Sequence, residues 1–302
     1  LAAFSNKGDT FVRRLLWSLL AVPPAVGLAV AFLASAPGTG VRTAPVHATL
    51  DARAAAAAKT ALRQLVFSDP ANQAVPGHTR RAPDLTQQES FDWSGYVDDN
   101  TSGKTYDKVT GNWTEPVITC GQQDQIAVFW VGLDGYTGSS TEQAGTLAQC
   151  FQGKAHYYTW WQMYPAKTSP VEVGTTVKAG DKITALVSVT GTKYTLKVTD
   201  STTTGNSFST QQTCATATCP HNSAEWIAEA PYGTRGDYPL PDFKSWALTA
   251  ATVTSGTTSG VISTFPDDAL TMLDGTETYN LAAPGTLNKT AKSFTVTWAN
   301  SY

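Results

Sequence analysis

The sequence predicts an all-β protein: an antiparallel β-sandwich of two packed sheets, jelly-roll or concanavalin-like, preceded by a signal segment and a partly helical propeptide. Three observations lead there. The run Lys182–Thr190 puts Ile183, Ala185, Val187 and Val189 on one face and Thr184, Ser188 and Thr190 on the other, the period-2 alternation of a half-buried strand. Similar short runs recur at 111–116, 125–132, 157–165, 192–199, 224–230, 245–254 and 293–298, separated by Gly, Asn, Asp and Ser and with no helical pattern between them. That succession is the signature of a sandwich, and the absence of a fixed repeat argues against a propeller or solenoid. Finally, 302 residues that are 41% hydrophobic and 15% charged are enough for a large core and exclude a disordered or fibrous chain.

The N-terminal elements follow in order. Between Arg14 and Arg42 there is no charged residue, and the apolar stretch 15–33 ends in Ala34-Ser35-Ala36, the small-x-small pattern of a signal-peptidase site behind a basic n-region. Residues 1–36 are therefore read as a signal peptide. A retained membrane anchor is the alternative, which Pro23-Pro24 weakens. Residues 37–88 are read as a propeptide. Its centre, 51–67, is built from strong helix formers, and it then turns polar through Asp69-Pro70 and Arg80-Arg81-Ala82-Pro83.

Charge divides at the same place. Residues 1–88 carry nine Lys and Arg against four Asp and Glu, net +5, whereas 89–302 carry twelve against twenty, net −8. A basic leader before an acidic domain fits a propeptide held on its enzyme as an inhibitor by opposite charge. The domain at 89–302 has no basic cluster of the kind that phosphate neutralisation needs, so nucleic acid is not an expected partner. A secreted monomer is expected, touching membrane only through its N-terminal segment.

Cys120, Cys150, Cys214 and Cys219 all follow the export segment, and an even number in such a chain suggests two disulfides. Cys214 and Cys219 bracket a short loop, which favours Cys214–Cys219 and, by elimination, Cys120–Cys150. No CxxC or HExxH spacing is present, so neither metal nor cofactor is expected. Only His156 and His221 belong to the domain, and no GxSxG elbow accompanies them. With the thiols oxidised, any catalysis falls to carboxyls and amides. In Ala224-Glu225-Trp226-Ile227-Ala228-Glu229, a strand places Glu225 and Glu229 on one face beside aromatic residues.

Several segments then carry a family resemblance. Trp93-Ser94-Gly95-Tyr96 resembles the N-W-[AGS]-G opening of the eqolisins, secreted glutamic peptidases active in acid. Gly111-Asn112-Trp113-Thr114-Glu115-Pro116, Phe129-Trp130-Val131-Gly132-Leu133-Asp134-Gly135, Glu142-Gln143-Ala144-Gly145, Trp160-Trp161-Gln162-Met163-Tyr164-Pro165 and 224–229 follow in family order. The resemblance implies a two-sheet sandwich with a Gln and a Glu across a concave cleft, here Gln143 and Glu229, and polypeptide substrates. It also implies that Trp130 and Asp134 shape or orient the site.

The pairing has its own chemical logic. A carboxylate can take a proton from water as it attacks a peptide carbonyl and return it to the leaving amine. An amide N–H can stabilise the oxyanion without titrating. Two positions depart from the family pattern: Gln162 stands where an acid is frequent, and Tyr158 replaces an Asp-like residue four positions earlier. Gln162 is thus a rival amide. Of Trp160 and Trp161, alternation allows at most one to face the cleft. A lectin-like sandwich stacking sugars on aromatic rings and a two-carboxylate glycoside hydrolase are the readings from other classes.

Overall fold

The structure is a computed structural model and describes residues 65–66, 80–82, 85–99, 103–214, 219–233 and 236–301. The expected signal segment, and the expected propeptide up to residue 64, lie outside these.

The main strands are β1 (Leu85–Ser90), β2 (Trp93–Asp98), β3 (Lys108–Thr114), β4 (Gln125–Leu133), β5 (Thr141–Phe151), β6 (Lys154–Tyr164), β7 (Val171–Glu172) and β8 (Lys182–Thr190). They continue as β9 (Lys193–Asp200), β10 (Phe208–Thr213), β11 (Ala224–Glu229), β12 (Ser245–Ser255), β13 (Asp267–Leu273), β14 (Asn280–Pro284) and β15 (Phe294–Trp298). Apart from short 3-10 turns, the described chain is strand and loop.

Hydrogen bonding orders the strands into two runs. One reads β7–β6–β5–β4–β11–β2–β13, and the other reads β10–β9–β8–β3–β12–β15–β14. β13 joins them: it pairs with β2 through Leu270, then with β14 from Met272 across a register shift. These pairings are antiparallel. The departure is β1, which lies parallel to β13.

The apolar pattern explains the packing. β8 buries Ile183, Ala185, Val187 and Val189 and exposes Thr184 and Thr190, as alternation predicts. β8 and β9 of the second run lie against β4 and β5 of the first without pairing to them. Phe129, Val131, Trp161 and Trp226 from the first run meet Val187, Leu196, Trp246 and Leu248 from the second in one core. Phe129 stacks on Trp246 with ring centroids 5.5 Å apart. The opposite face of the first run gathers Trp93, Val128, Trp130, Leu147, Trp160 and Ile227 into a second apolar cluster. Strands β4 and β11 are therefore buried on both faces.

Two features of the leader are visible among the described residues. Leu65–Val66, at the end of the predicted helix-forming run, is a short strand paired with Tyr232–Gly233. Propensity is a weak prior once a sheet edge offers tertiary pairing, and Val66 is β-branched. Strand β1 also runs across the predicted junction at Gln88, which pairs with Leu270. The disulfides are Cys120–Cys150 and Cys214–Cys219.

Candidate active site

Four adjacent strands, β6–β5–β4–β11, present predicted residues on the face that carries the second apolar cluster. Strand period 2 puts Glu225, Ile227 and Glu229 of β11 on that face and turns Trp226 and Ala228 toward the main core. On β4 the same alternation selects Val128, Trp130 and Gly132, and on β5 it selects Gln143, Gly145 and Leu147. On β6 it selects Tyr158, Trp160 and Gln162. Trp160 joins this face and Trp161 the opposite one.

Register fixes which residues stand side by side. Gln162, Gln143, Gly132 and Glu225 form one row across β6, β5, β4 and β11. The next row on this face contains Trp160, Gly145, Trp130 and Ile227; the row after that contains Tyr158, Leu147, Val128 and Glu229, with Trp93 of β2 opposite Glu229. Gln143, Gln162, Glu225, Glu229, Trp130 and Trp160 are all buried.

Each of the two central groups has a specific partner. Trp130 Nε1 donates to Glu229 Oε2 at 2.7 Å, a bond to an acceptor that is strongest when the carboxyl is ionised. The Trp130 ring is held by the Trp93 ring, edge to face with centroids 4.9 Å apart. Gln143 Nε2 donates to Gln162 Oε1 at 2.7 Å. Gly132 makes room between them: a Cβ there would come within 2.7 Å of the Trp130 ring and 3.2 Å of Glu225 Oε2.

The two glutamates of β11 differ in environment. Among the described residues neither oxygen of Glu225 has a donor in hydrogen-bonding geometry. Burial, which the Ser223 hydroxyl offsets only in part, pushes its carboxyl well above the usual range. In acid Glu225 is consequently a neutral group, unable to take a proton from water. Glu229, by contrast, has an indole donor to support its charge.

Asp134 is placed elsewhere. Its backbone has φ of 65°, and its Oδ1 accepts the Asn222 amide at 2.7 Å, tying the end of β4 to the turn that leads into β11. It also faces Glu142, which points from β5 toward the other side of the sheet from Gln143. Burial raises both carboxyls, that of Glu142 well above its ordinary value. Sequence reasoning missed this acid pair, and it missed Trp93 as the support of Trp130. The signal for the latter was present, because Trp93 opens the first of the recognised motifs. Among the described residues no cluster of His, Cys, Asp and Glu is arranged to hold a metal ion.

A profile of the Peptidase A4 family matches residues 92–298. Among solved structures, the chain is similar to scytalido-glutamic peptidase with a peptide-based transition state analog, at 19% identity and a TM-score of 0.58, covering 69% of this chain and 98% of that one. It is also similar to SCP-B, a member of the eqolisin family in complex with the tripeptide Ala-Ile-His, at 18% identity and a TM-score of 0.55, covering 69% of this chain and 98% of that one. A search of curated protein sequences returns no significant match. At these identities the structural likeness speaks for the fold, and the profile, which spans most of the chain including every strand of the site, speaks for the family. The chain belongs to the peptidase A4 family, the eqolisins, and is a glutamic-type peptide-bond hydrolase.

Proposed function

We propose that the protein is a secreted acid endopeptidase in which Glu229 is the general base and acid and Gln143 stabilises the tetrahedral oxyanion. The observation that carries this reading is the contrast on one face of β11. Glu229 is hydrogen-bonded by Trp130, whereas Glu225 is buried without a comparable donor. In the proposed reaction Glu229 takes a proton from water as the water oxygen bonds to the peptide carbonyl carbon. It returns that proton to the amine as the C–N bond breaks. An N–H of Gln143 meets the negative oxygen that forms in between. Glu225, neutral in acid, adds no charge against that oxygen.

We further read the two strand runs as the layers of a sandwich, supported by the core they share. Residues 37–88 are read as an inhibitory propeptide. Two observations support that reading: the pairing of Leu65–Val66 with Tyr232–Gly233, three residues beyond Glu229, and the burial of Gln143 and Glu229. Gln88 lies in a hydrogen-bonded strand, where a peptide bond is poorly accessible to a processing protease. Two disulfides suit an oxidising, extracellular setting, and a signal segment at 1–36 would deliver the chain there.

The test is digestion of an acid-denatured protein by mature wild type, Glu229→Gln and Gln143→Ala, with circular dichroism to confirm folding. Each variant is expected to lose about a hundredfold or more in rate. Full activity in either, with the fold kept, overturns the assignment.

A further inference from the structure

We propose that Gln162 sets which way round the amide of Gln143 faces and is thereby a positioning residue for oxyanion stabilisation; this rests on the role given to Gln143 above. The two ends of a glutamine amide have nearly the same shape and opposite hydrogen-bonding character, so only their partners decide which end points where. Gln162 Nε2 donates to the main-chain carbonyl of Lys167 at 3.0 Å. A main-chain carbonyl only accepts, so this bond fixes the Gln162 nitrogen toward Lys167 and its oxygen toward Gln143. That oxygen also only accepts, and Gln143 must therefore present its Nε2, at 2.7 Å.

The anchor at the far end is itself fixed. Lys167 N donates to Met163 O at 2.7 Å, closing the turn after β6, and Met163 is packed in the main core. Orientation is thus handed from a turn through one amide to another. Both glutamines are fully buried, which strengthens their hydrogen bonds and makes a reversed amide costly. Reversal of Gln143 would set two carbonyl oxygens against each other. One N–H of Gln143 is engaged with Gln162. Because an amide does not titrate, this relay keeps its sense at every pH.

Steady-state kinetics of Gln162→Leu and Gln162→Glu, beside Gln143→Ala, test the proposal, with melting temperatures measured in parallel. Leu fills the buried position without an acceptor. Glu keeps an acceptor facing Gln143 in either protonation state but is the worse residue to bury. Gln162→Leu is expected to keep its melting temperature and lose roughly tenfold to a hundredfold in kcat, with KM within about twofold. Gln162→Glu is expected to melt lower near neutral pH yet retain kcat within about threefold of wild type in acid. A purely structural role would rank the two variants the other way. Wild-type kcat in Gln162→Leu, or equal loss in both variants, with Gln143→Ala inactive, overturns the proposal and leaves the role of Gln143 standing. An active Gln143→Ala removes that role itself. If Gln162→Leu does not fold, Gln162→Met provides the same comparison.

Discussion

In the proposed reaction Gln143 and Glu229 divide the work according to what their chemistry permits. The Gln143 amide donates to another neutral amide, and the Glu229 carboxyl accepts from a neutral indole N–H. Trp130 is the residue on which this account of Glu229 turns. Trp130→Phe keeps an aromatic ring against Trp93 but deletes the donor, and kcat is expected to fall about tenfold with the melting temperature nearly unchanged, the scale of one lost hydrogen bond to a charged group. Unchanged kcat would show that the bond is not used. The sequence made Gln143, Glu229 and Trp130 legible through their motifs. It could not show that Trp130 reaches Glu229 or that Gln162 reaches Gln143, because those contacts depend on register between strands far apart in the chain. Strand alternation alone did not separate Glu225 from Glu229, which share a face; only the family resemblance pointed to Glu229.

Among the elements, β4 carries the greatest constraint: every one of its residues is buried, and it lies between the strands of Gln143 and Glu229. Gly132 occupies the position on β4 where the row from Gln143 to Glu225 crosses it. A Cβ at 2.7 Å from the Trp130 ring would force the indole out of its present position and disturb its bond to Glu229. Gly132→Ala is therefore expected to lower kcat by about tenfold and to cost about 1–3 kcal/mol of stability, as overpacking does; thermal melting and steady-state rates measure the two effects separately. Wild-type values of both would contradict the packing described. Strands such as β8, with one face toward solvent, were plain in the alternation. β5 was not, although it bears Gln143, because Thr141–Phe151 is buried on both faces over nearly its whole length and so shows no alternation to read. β1 and the Leu65–Val66 strand were equally hidden, since pairing with a distant edge leaves no local pattern.

Across the whole molecule, buried carboxyls tie the fold to acid. Burial raises Glu115 to about 8. Burial and then the neighbouring charges of Asp267 and Asp99 raise Asp98 to about 10, and Glu142 and Glu225 are also held well above the ordinary range. The unfolded chain ionises its carboxyls near pH 4, so below that the folded state bears no penalty from these groups. As pH rises, the unfolded chain releases protons that the folded one keeps. Stability then falls by about 1.4 kcal/mol per pH unit for each such group, toward about 8 for Glu115 and about 10 for Asp98. The melting temperature is expected to be highest at about pH 3 to 4 and to drop through neutrality. Glu115→Gln, whose amide oxygen can still accept from Trp113 Nε1 as Glu115 does now, should flatten that decline. A melting temperature that rises from acid to neutral would contradict this. The charge division at residue 88 was readable from composition; the buried, neutral acids were not, because only the fold decides which carboxyls lose their water. The same distinction bears on the site, where Glu225 is one of these proton-holding acids and Glu229 is the proposed base. The most direct measurement is kcat/KM on a peptide substrate at acid pH for Glu229→Gln and Glu225→Gln side by side. Glu229→Gln is expected to lose about a thousandfold and Glu225→Gln no more than about tenfold; the reverse order would contradict the assignment of Glu229 as the base.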